Sequence, residues 1–262
     1  MRPRFDDEDW EPDDIPGSAR SAHGEWFDDF FASGLITDVL MPLKSGKEAS
    51  VFLCRGNRSN TGVDLLAAKV FHARERRGFR NNHAYRQGQL IGKHREQRAV
   101  RTKTEFGREV EEGWWRHREF ATLQTLHGAG ADVPRPVASS SHGLLMEFIA
   151  EDDEPAPQLK DVRLAVPEAR AVFDRLLWNV ELFLANHLVH ADLSPYNVLY
   201  RPEGVTIIDL PQAVDARSNS NARALLGRDI ENLCRHFERL GVRTNASALA
   251  GDLWRRFLYV KI

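Results

Sequence analysis

Strand patterns and helix patterns occupy different parts of this chain of 262 residues. Short apolar segments bounded by turn residues, the pattern of β-strands, lie at 49–54, 64–70 and 144–149. After Pro167, apolar residues instead recur every three or four positions in three long stripes, as in helices that pack against a core. This segregation predicts an α+β fold with two lobes, a small β-rich N-lobe and a mainly helical C-lobe.

The domain boundaries that we predict follow the local composition. Residues 1–22 are acidic and polar, and they carry too little apolar surface to offset the entropy lost on ordering, which predicts a disordered tail. Residues 23–150 are predicted to form the N-lobe, and within it the polar stretch 72–103 is predicted to be a mobile loop. The acidic connector at 151–157 would begin a C-lobe that comprises residues 151–262.

Composition and charge argue against several classes of protein. The formal net charge is −2, so no overall basic field points to nucleic acid. Cys54 and Cys234 lie far apart, which indicates neither a disulfide framework nor a zinc site and favours a reducing, cytoplasmic location. The sequence has neither an export signal nor an apolar run of about 18 residues, so no membrane association is expected.

The residues with the clearest chemistry lie in a strand–turn–strand segment between the first two helical stripes. If the turn at 201–204 closes a hairpin, Asn197 lies opposite the neighbourhood of Ile208, and Asn197 and Asp209 meet at its open end. An amide oxygen and a carboxylate suit magnesium when substrate phosphates supply further oxygen ligands. Asp192, in the loop just before, is placed to accept a hydroxyl proton in phosphoryl transfer.

A lysine in an apolar strand suggests a second part of the site. Lys69 would be costly to bury without a partner, and Glu119, on the apolar face of a predicted helix, is the expected partner. Such a pair can position the α- and β-phosphates of a nucleotide, whereas the alternative is a surface lysine whose stem packs on apolar neighbours. Upstream, the segment that begins Ser45-Gly46-Lys47 has small residues that would let backbone amides approach phosphates.

Taken together, these motifs resemble the protein kinase superfamily and, more closely, the RIO family of atypical serine kinases. The resemblance covers roughly residues 40–240 and rests on six segments: Ser45–Ala49, Lys69, Glu119, Leu145–Ile149, Leu188–Asn197 and Ile207–Gln212. It implies ATP and magnesium as cofactors, Asp192 as the catalytic base, and Asn197 and Asp209 as magnesium ligands. It implies ATP contacts at Ser45, Gly46, Lys47, Lys69, Glu119, Met146, Glu147 and Ile149.

The chain departs from ordinary protein kinases in ways that bear on the fold. Ala191 stands where an arginine usually precedes the catalytic aspartate, and only about twenty residues separate Asp209 from Asp229. This spacing leaves no room for a long activation loop or a peptide-binding subdomain, a truncation that RIO proteins share. For Asp229 two interpretations stay open: it anchors the backbone of the catalytic loop, or it faces solvent from its helix.

The resemblance implies a serine/threonine protein kinase, or an ATPase in which Asp209 itself accepts the γ-phosphoryl group. Two alternatives stay open, namely a small-molecule phosphotransferase of the aminoglycoside or choline kinase type and a non-catalytic, ATP-dependent assembly switch. The segment 72–103 holds ten basic residues against two acidic ones. By the resemblance it would contact RNA in a ribosomal particle, and the alternative is a solvated loop.

Overall fold

The computed structural model describes residues 24–46, 49–72, 118–151 and 154–259. They belong to two compact units, one within Met1–Gly78 and Val137–Phe148 and the other within Phe79–Pro136 and Ile149–Ile262. The predicted tail at 1–22 and nearly all of the predicted loop at 72–103 lie outside the described residues. The domain boundaries inferred from composition therefore stay a prediction.

The first unit is built on a five-stranded sheet in the order β1-β2-β3-β5-β4. Its strands are β1 (Ile36–Ser45), β2 (Ala49–Gly56), β3 (Leu65–Phe71), β4 (Pro136–Ser139) and β5 (Gly143–Glu147). The predicted hairpin is confirmed as the antiparallel pair β2–β3, and a short helix α2 (Arg58–Thr61) lies in its connection. Most of β1 was not predicted, because it contains Pro42. Proline is tolerated there because β1 is an edge strand whose register shifts next to Pro42.

Helix α1 (Gly24–Ala32) is amphipathic and covers one face of this sheet. Phe27 and Phe30 are buried with side chains of β2 and β3, and the ring of Phe27 meets that of Phe52 edge to face at 5.3 Å. Leu66, Ala68 and Val70 of β3 belong to the same core cluster. Since side chains alternate along a strand, Lys69 lies on the opposite face of the sheet.

The second unit contains four helices among the described residues: α3 (118–128), α4 (Val166–Ala185), α5 (Ala222–Arg239) and α6 (Ala246–Leu258). Helices α4, α5 and α6 confirm the three apolar stripes, with Pro167 in the first turn of α4. Gly241 adopts φ 86° just after α5, as is common where a helix ends. None of the described helices is long and apolar enough to cross a membrane.

Three short antiparallel strand pairs also lie among the described residues of the second unit. β9 (Val198–Arg201) and β10 (Gly204–Ile207) form the predicted hairpin, and β8 (Leu188–Val189) pairs with β11 (Val214–Asp215). The acidic connector contains a third pair, β6 (Ala150–Glu151) with β7 (Glu154–Pro155). Residues 210–221, which are described throughout, run from the end of the hairpin to α5 with no inserted activation loop, as the spacing predicted.

Candidate active site

The β9–β10 hairpin brings the predicted metal ligands to one place. Ile207 pairs with Val198 at the open end, and the Ile208 N–H donates to the carbonyl of Asn197 at 3.0 Å. The Asn197 Nδ2 group donates to the Asp192 carbonyl at 2.9 Å and lies 3.5 Å from Asp192 Oδ2. Within the described part of the chain the amide oxygen of Asn197 takes no hydrogen bond, so it is the atom that can bind a cation.

Asp229 of α5 fixes the backbone of the catalytic loop. Its two carboxylate oxygens accept from the N–H groups of Ala191 at 2.8 Å and Leu193 at 2.9 Å, on either side of Asp192. Asp229 is only 2% exposed, so the anchoring interpretation is confirmed and the solvent-facing one is wrong. Burial raises the pKa of Asp229 to about 7, although the two N–H donors act in the opposite direction.

Two residues beside the expected chemistry adopt left-handed backbone conformations. Ala191 has φ 71° and Asp209 has φ 67°. This conformation costs a residue with a Cβ about 1–2 kcal/mol, so the surroundings must hold it in place. For Ala191 the restraints are Asp229 and the Arg228 guanidinium, which donates to the Ala191 carbonyl at 2.7 Å.

His190 joins the catalytic loop to the segment before Asp209. Its Nδ1 accepts from the Asp192 N–H at 3.3 Å, and its Nε2 lies 3.2 Å from the Ile208 carbonyl. Burial lowers the pKa of His190, which favours the neutral ring with one donor and one acceptor nitrogen that this arrangement requires. The histidine therefore holds the two loops in register and is not placed to exchange protons with a substrate.

Asp192 combines partial burial with a nearby negative charge. Burial raises its pKa and the carboxylate of Asp209 raises it further, whereas the charge of Arg228 and the hydrogen bond from Asn197 act in the opposite direction. A carboxylate with a raised pKa is a better proton acceptor near neutral pH than an ordinary aspartate. The repulsion between Asp192 and Asp209 would also be relieved by a cation bound between the phosphates of a substrate and this loop.

The donor set fits magnesium. Among the described residues, no group of three or more His, Cys, Asp or Glu side chains is arranged to hold a metal ion. Asn197 and Asp209 supply two oxygen ligands of the kind that magnesium accepts when phosphates and water complete its octahedron. Such a pair of ligands suits a cation that arrives together with a nucleotide.

The predicted phosphate loop lies at the tip of the β1–β2 hairpin. The Gly46 N–H donates to the Ala49 carbonyl at 2.9 Å, and a Cβ at Gly46 would come within 3.3 Å of that oxygen. Ser45 Oγ lies 3.0 Å from Ser50 Oγ, which in turn lies 2.8 Å from His72 Nε2. No sequence pattern predicts this chain of hydrogen bonds, and Lys47 lies outside the described residues.

Lys69 and Glu119 are both buried, each within its own unit. Lys69 pairs in register with Val51 and Leu144 in the middle of the sheet and is 8% exposed, so the surface-lysine interpretation is wrong. Glu119 is 5% exposed on α3, which belongs to the second unit. The ion pair between them would join the two units and stays a prediction.

The predicted adenine-binding segment continues from β5. Met146 and Glu147 pair with Ala67 and Leu66 of β3, and both side chains are half-buried. Ile149 is buried and belongs to the second unit, where its carbonyl accepts from the Ala156 N–H at 3.0 Å. The chain passes from the first unit to the second within this segment, between Phe148 and Ile149, and the contact of the segment with adenine stays a prediction.

Comparison with known proteins identifies a family. The sequence model described as "RIO domain" matches residues 50–249. The human serine/threonine-protein kinase RIO1 is 30% identical over 212 residues, which are 80% of this chain and 35% of that protein. The RIO-type serine/threonine-protein kinase Rio1 of Thermoplasma acidophilum is 36% identical over 131 residues, which are 50% of this chain and 67% of that protein.

This chain is much shorter than the relatives from animals that it matches. This chain spans 35% of the human RIO1 protein and 39% of its Caenorhabditis elegans counterpart, which is 28% identical. Among solved structures, the Rio2 kinase-ADP/Mg²⁺-phosphoaspartate complex from Chaetomium thermophilum superposes with a TM-score of 0.64 at 20% identity, over 90% of this chain and 66% of that one. This likeness confirms the two-lobed, kinase-like α+β fold.

Proposed function

This chain belongs to the RIO domain family, and from that premise we propose that it is an ATP- and magnesium-dependent serine/threonine protein kinase. The observation that carries the proposal is the anchored catalytic loop. Asp229 fixes the backbone on both sides of Asp192, and the same loop holds Asn197 against the residue that precedes Asp209. Preorganised groups of this kind are what phosphoryl transfer needs, since its catalysis rests mainly on positioning and charge.

In the proposed reaction Asp192 orients the acceptor hydroxyl and accepts its proton. The hydroxyl oxygen bonds to the γ-phosphorus as the bond to the β,γ-bridging oxygen breaks, which leaves ADP. Bound magnesium would neutralise charge on the phosphates, and Asn197 and Asp209 are the residues that would hold it. The raised pKa of Asp192 makes its carboxylate a stronger base for this step.

The nucleotide contacts are part of the same proposal. Lys69, paired with Glu119, would bind the α- and β-phosphates, and the hairpin tip at Ser45, Gly46 and Lys47 would cover them. The burial of Lys69 supports this role, because a buried ammonium group requires an anionic partner. Adenine would bind against the backbone of Met146, Glu147 and Ile149.

A second candidate is an ATPase that passes through an aspartyl phosphate at Asp209. A specific observation favours it, because a structural neighbour is described as a kinase-ADP/Mg²⁺-phosphoaspartate complex. The γ-phosphoryl group would pass to an Asp209 carboxylate oxygen, ADP would leave, and water would then cleave the acyl phosphate to release inorganic phosphate. The two candidates share their nucleotide contacts and differ in the group that accepts the phosphoryl.

The test is incubation of the purified chain with magnesium and γ-labelled ATP. Wild type is compared with Asp192→Asn and Asp209→Asn, and with Asp174→Asn as a control for the same chemical change at an exposed residue of α4. We expect acid-stable label that falls at least about 100-fold in Asp192→Asn and is unchanged in the control. Hydroxylamine-labile label that is lost in Asp209→Asn would instead identify the aspartyl phosphate.

Other outcomes of the same experiment would favour the remaining alternatives. Nucleotide binding with neither label nor hydrolysis would contradict both candidates and support the assembly switch. ADP formation that increases with aminoglycosides or choline, with the label transferred to the added compound and none bound to the protein, would support a small-molecule phosphotransferase. The proposed contact of segment 72–103 with a ribosomal RNA is tested separately, by the salt dependence of RNA binding.

The reducing cytoplasm is the compartment that we propose for this protein. Cys54 and Cys234 are free and buried. Burial raises the pKa of the Cys54 thiol to about 12, so this cysteine is protonated and unreactive at neutral pH. Fluorescence of the tagged full chain in its host cell would test the location.

A further inference from the structure

A polar cluster in the second unit lies outside the site described so far. Asp132 follows α3, and its carboxylate accepts from Arg175 Nε at 2.6 Å, from Arg175 Nη2 at 2.7 Å and from Asn179 Nδ2 at 2.7 Å. The Asp132 N–H donates to Asn179 Oδ1 at 2.8 Å. Asn179 therefore forms hydrogen bonds with both the backbone and the side chain of Asp132. The Arg175 guanidinium lies over the Trp178 ring, 3.9 Å from the ring centroid.

The cluster is linked through the main chain to residues 207–209, the metal loop that ends at Asp209. The carbonyl of Asp132 accepts from the Ile207 N–H at 2.7 Å, two residues before Asp209. The next residue, Ile208, is held at its N–H by Asn197 and at its carbonyl by His190. Hydrogen bonds with Asp132, Asn197 and His190 thus restrain the backbone that leads into Asp209.

This restraint matters because Asp209 has φ 67°. A left-handed aspartate persists only where its neighbours determine the backbone, and a small rotation there would redirect its carboxylate. Any residue at position 132 has a carbonyl that could accept from Ile207. The contacts of the Asp132 side chain with Arg175 and Asn179 add to the backbone hydrogen bonds of this turn in fixing where that carbonyl lies.

We propose that Asp132, Arg175 and Asn179 form a clamp that positions Asp209 for magnesium binding. The inference rests on the proposed function, because it assigns the clamp to the metal site of the same reaction. The three residues touch neither metal nor nucleotide in this assignment, so they are positioning residues that act through Ile207. The clamp connects α4 with the metal loop.

The clamp differs from an ordinary surface ion pair. Arg175 is 48% exposed in its side chain, and an exposed pair of this kind contributes little on its own. Asn179 is fully buried, however, so its amide needs the partners that Asp132 and the Arg175 carbonyl supply. Loss of the Asp132 carboxylate would remove one of the two acceptors of the Asn179 Nδ2 group and would loosen the position of the carbonyl that accepts from Ile207.

The experiment measures magnesium affinity directly, with the full chain and a fluorescent ADP analogue. The variants are Asp132→Ala and Arg175→Lys, and Asp174→Ala is the matched control because it removes the exposed Arg170–Asp174 pair of the same helix. In Asp132→Ala we expect the magnesium concentration at half-maximal nucleotide binding to rise about tenfold, with metal-free binding changed less than about twofold. Arg175→Lys, which keeps the charge but loses the two-pronged contact, should shift in the same direction by less.

The outcomes separate this inference from the proposed function. Clamp variants that unfold at lower temperature but bind magnesium like wild type would overturn the positioning role and leave a structural one. If Asp132→Ala does not fold, Arg175→Lys decides, and an unchanged magnesium midpoint there overturns the inference. Wild type without magnesium-dependent nucleotide binding would overturn the proposed function and the inference together. A magnesium response that is present in wild type and lost in Asp209→Asn supports the function, whatever the clamp variants show.

Discussion

Individual polar residues in this protein are informative where they interrupt an apolar helix face. Asp229 lies three residues after Leu226 and four before Leu233, and Asn179 lies three after Leu176 and four before Phe183. Both positions fall on the buried stripe of a helix, where a polar side chain needs partners. This periodicity could have identified both residues. No comparable pattern marks Asp132, whose partners are distant in sequence.

The buried carboxyl of Asp229 makes the stability of the fold depend on pH. Its pKa is raised from 3.8 to about 7, so the folded state binds more protons than the unfolded state between these values. The contribution of Asp229 to the free energy of unfolding is therefore complete below about pH 4 and is lost as the pH rises toward 7.

Asp229→Asn isolates this effect because the asparagine does not titrate. We expect the variant to be less stable, since one backbone N–H then faces an NH₂ group. The difference from wild type should shrink by up to about 1.4 kcal/mol per pH unit as the pH rises from 5 to 7. Urea unfolding at pH 5, 6, 7 and 8 measures it, with Asp174→Asn as the control. A difference independent of pH would mean that Asp229 is ionised throughout.

Among the elements, the hairpin and the three long helices were predictable because one periodicity dominates each of them. The β9–β10 hairpin has a glycine turn between two apolar strands, so its register and the meeting of Asn197 with Ile208 followed from the sequence. Strand β1 was missed because it lies at the edge of the sheet, where a proline and exposed polar residues replace the strand pattern. Residues 36–45 form a strand because they pair with β2, and the local sequence does not reveal that pairing.

Helix α1 should be essential to the stability of the first unit. Phe27 is buried against Phe52, and its replacement by alanine removes a ring from a closed core. We expect Phe27→Ala to lower the free energy of unfolding by about 3–5 kcal/mol. Phe31→Ala, which truncates a partly buried ring of the same helix, is the matched control and should cost clearly less. If both variants lose the same free energy of unfolding in urea, Phe27 is no more tightly packed than Phe31 and the prediction is wrong.

At the scale of the whole molecule, the proposed function would require groups from both units to act on one nucleotide. The sequence motifs assign Lys69 and Met146 to nucleotide binding. They assign Asp192, Asn197 and Asp209 to catalysis and magnesium binding. The structure places the first two in the sheet unit and the other three around α5 and the β9–β10 hairpin. Glu119 belongs to the second unit although it precedes β4 in the chain, which composition along the sequence does not reveal.

The predicted ion pair between Lys69 and Glu119 would therefore be a link between the units, and a double-mutant cycle tests it. We expect Lys69→Ala and Glu119→Ala each to weaken ADP binding, and the double variant to be little worse than either. The coupling should be about 1–3 kcal/mol, because either substitution already leaves the other buried charge without its counterion. Fluorescence titration with ADP and magnesium provides the affinities. The control cycle combines Lys69→Ala with Glu231→Ala, which changes an exposed residue of α5. The effects of these two substitutions should add. Additive losses in the first cycle would show that the two charges act separately on the nucleotide.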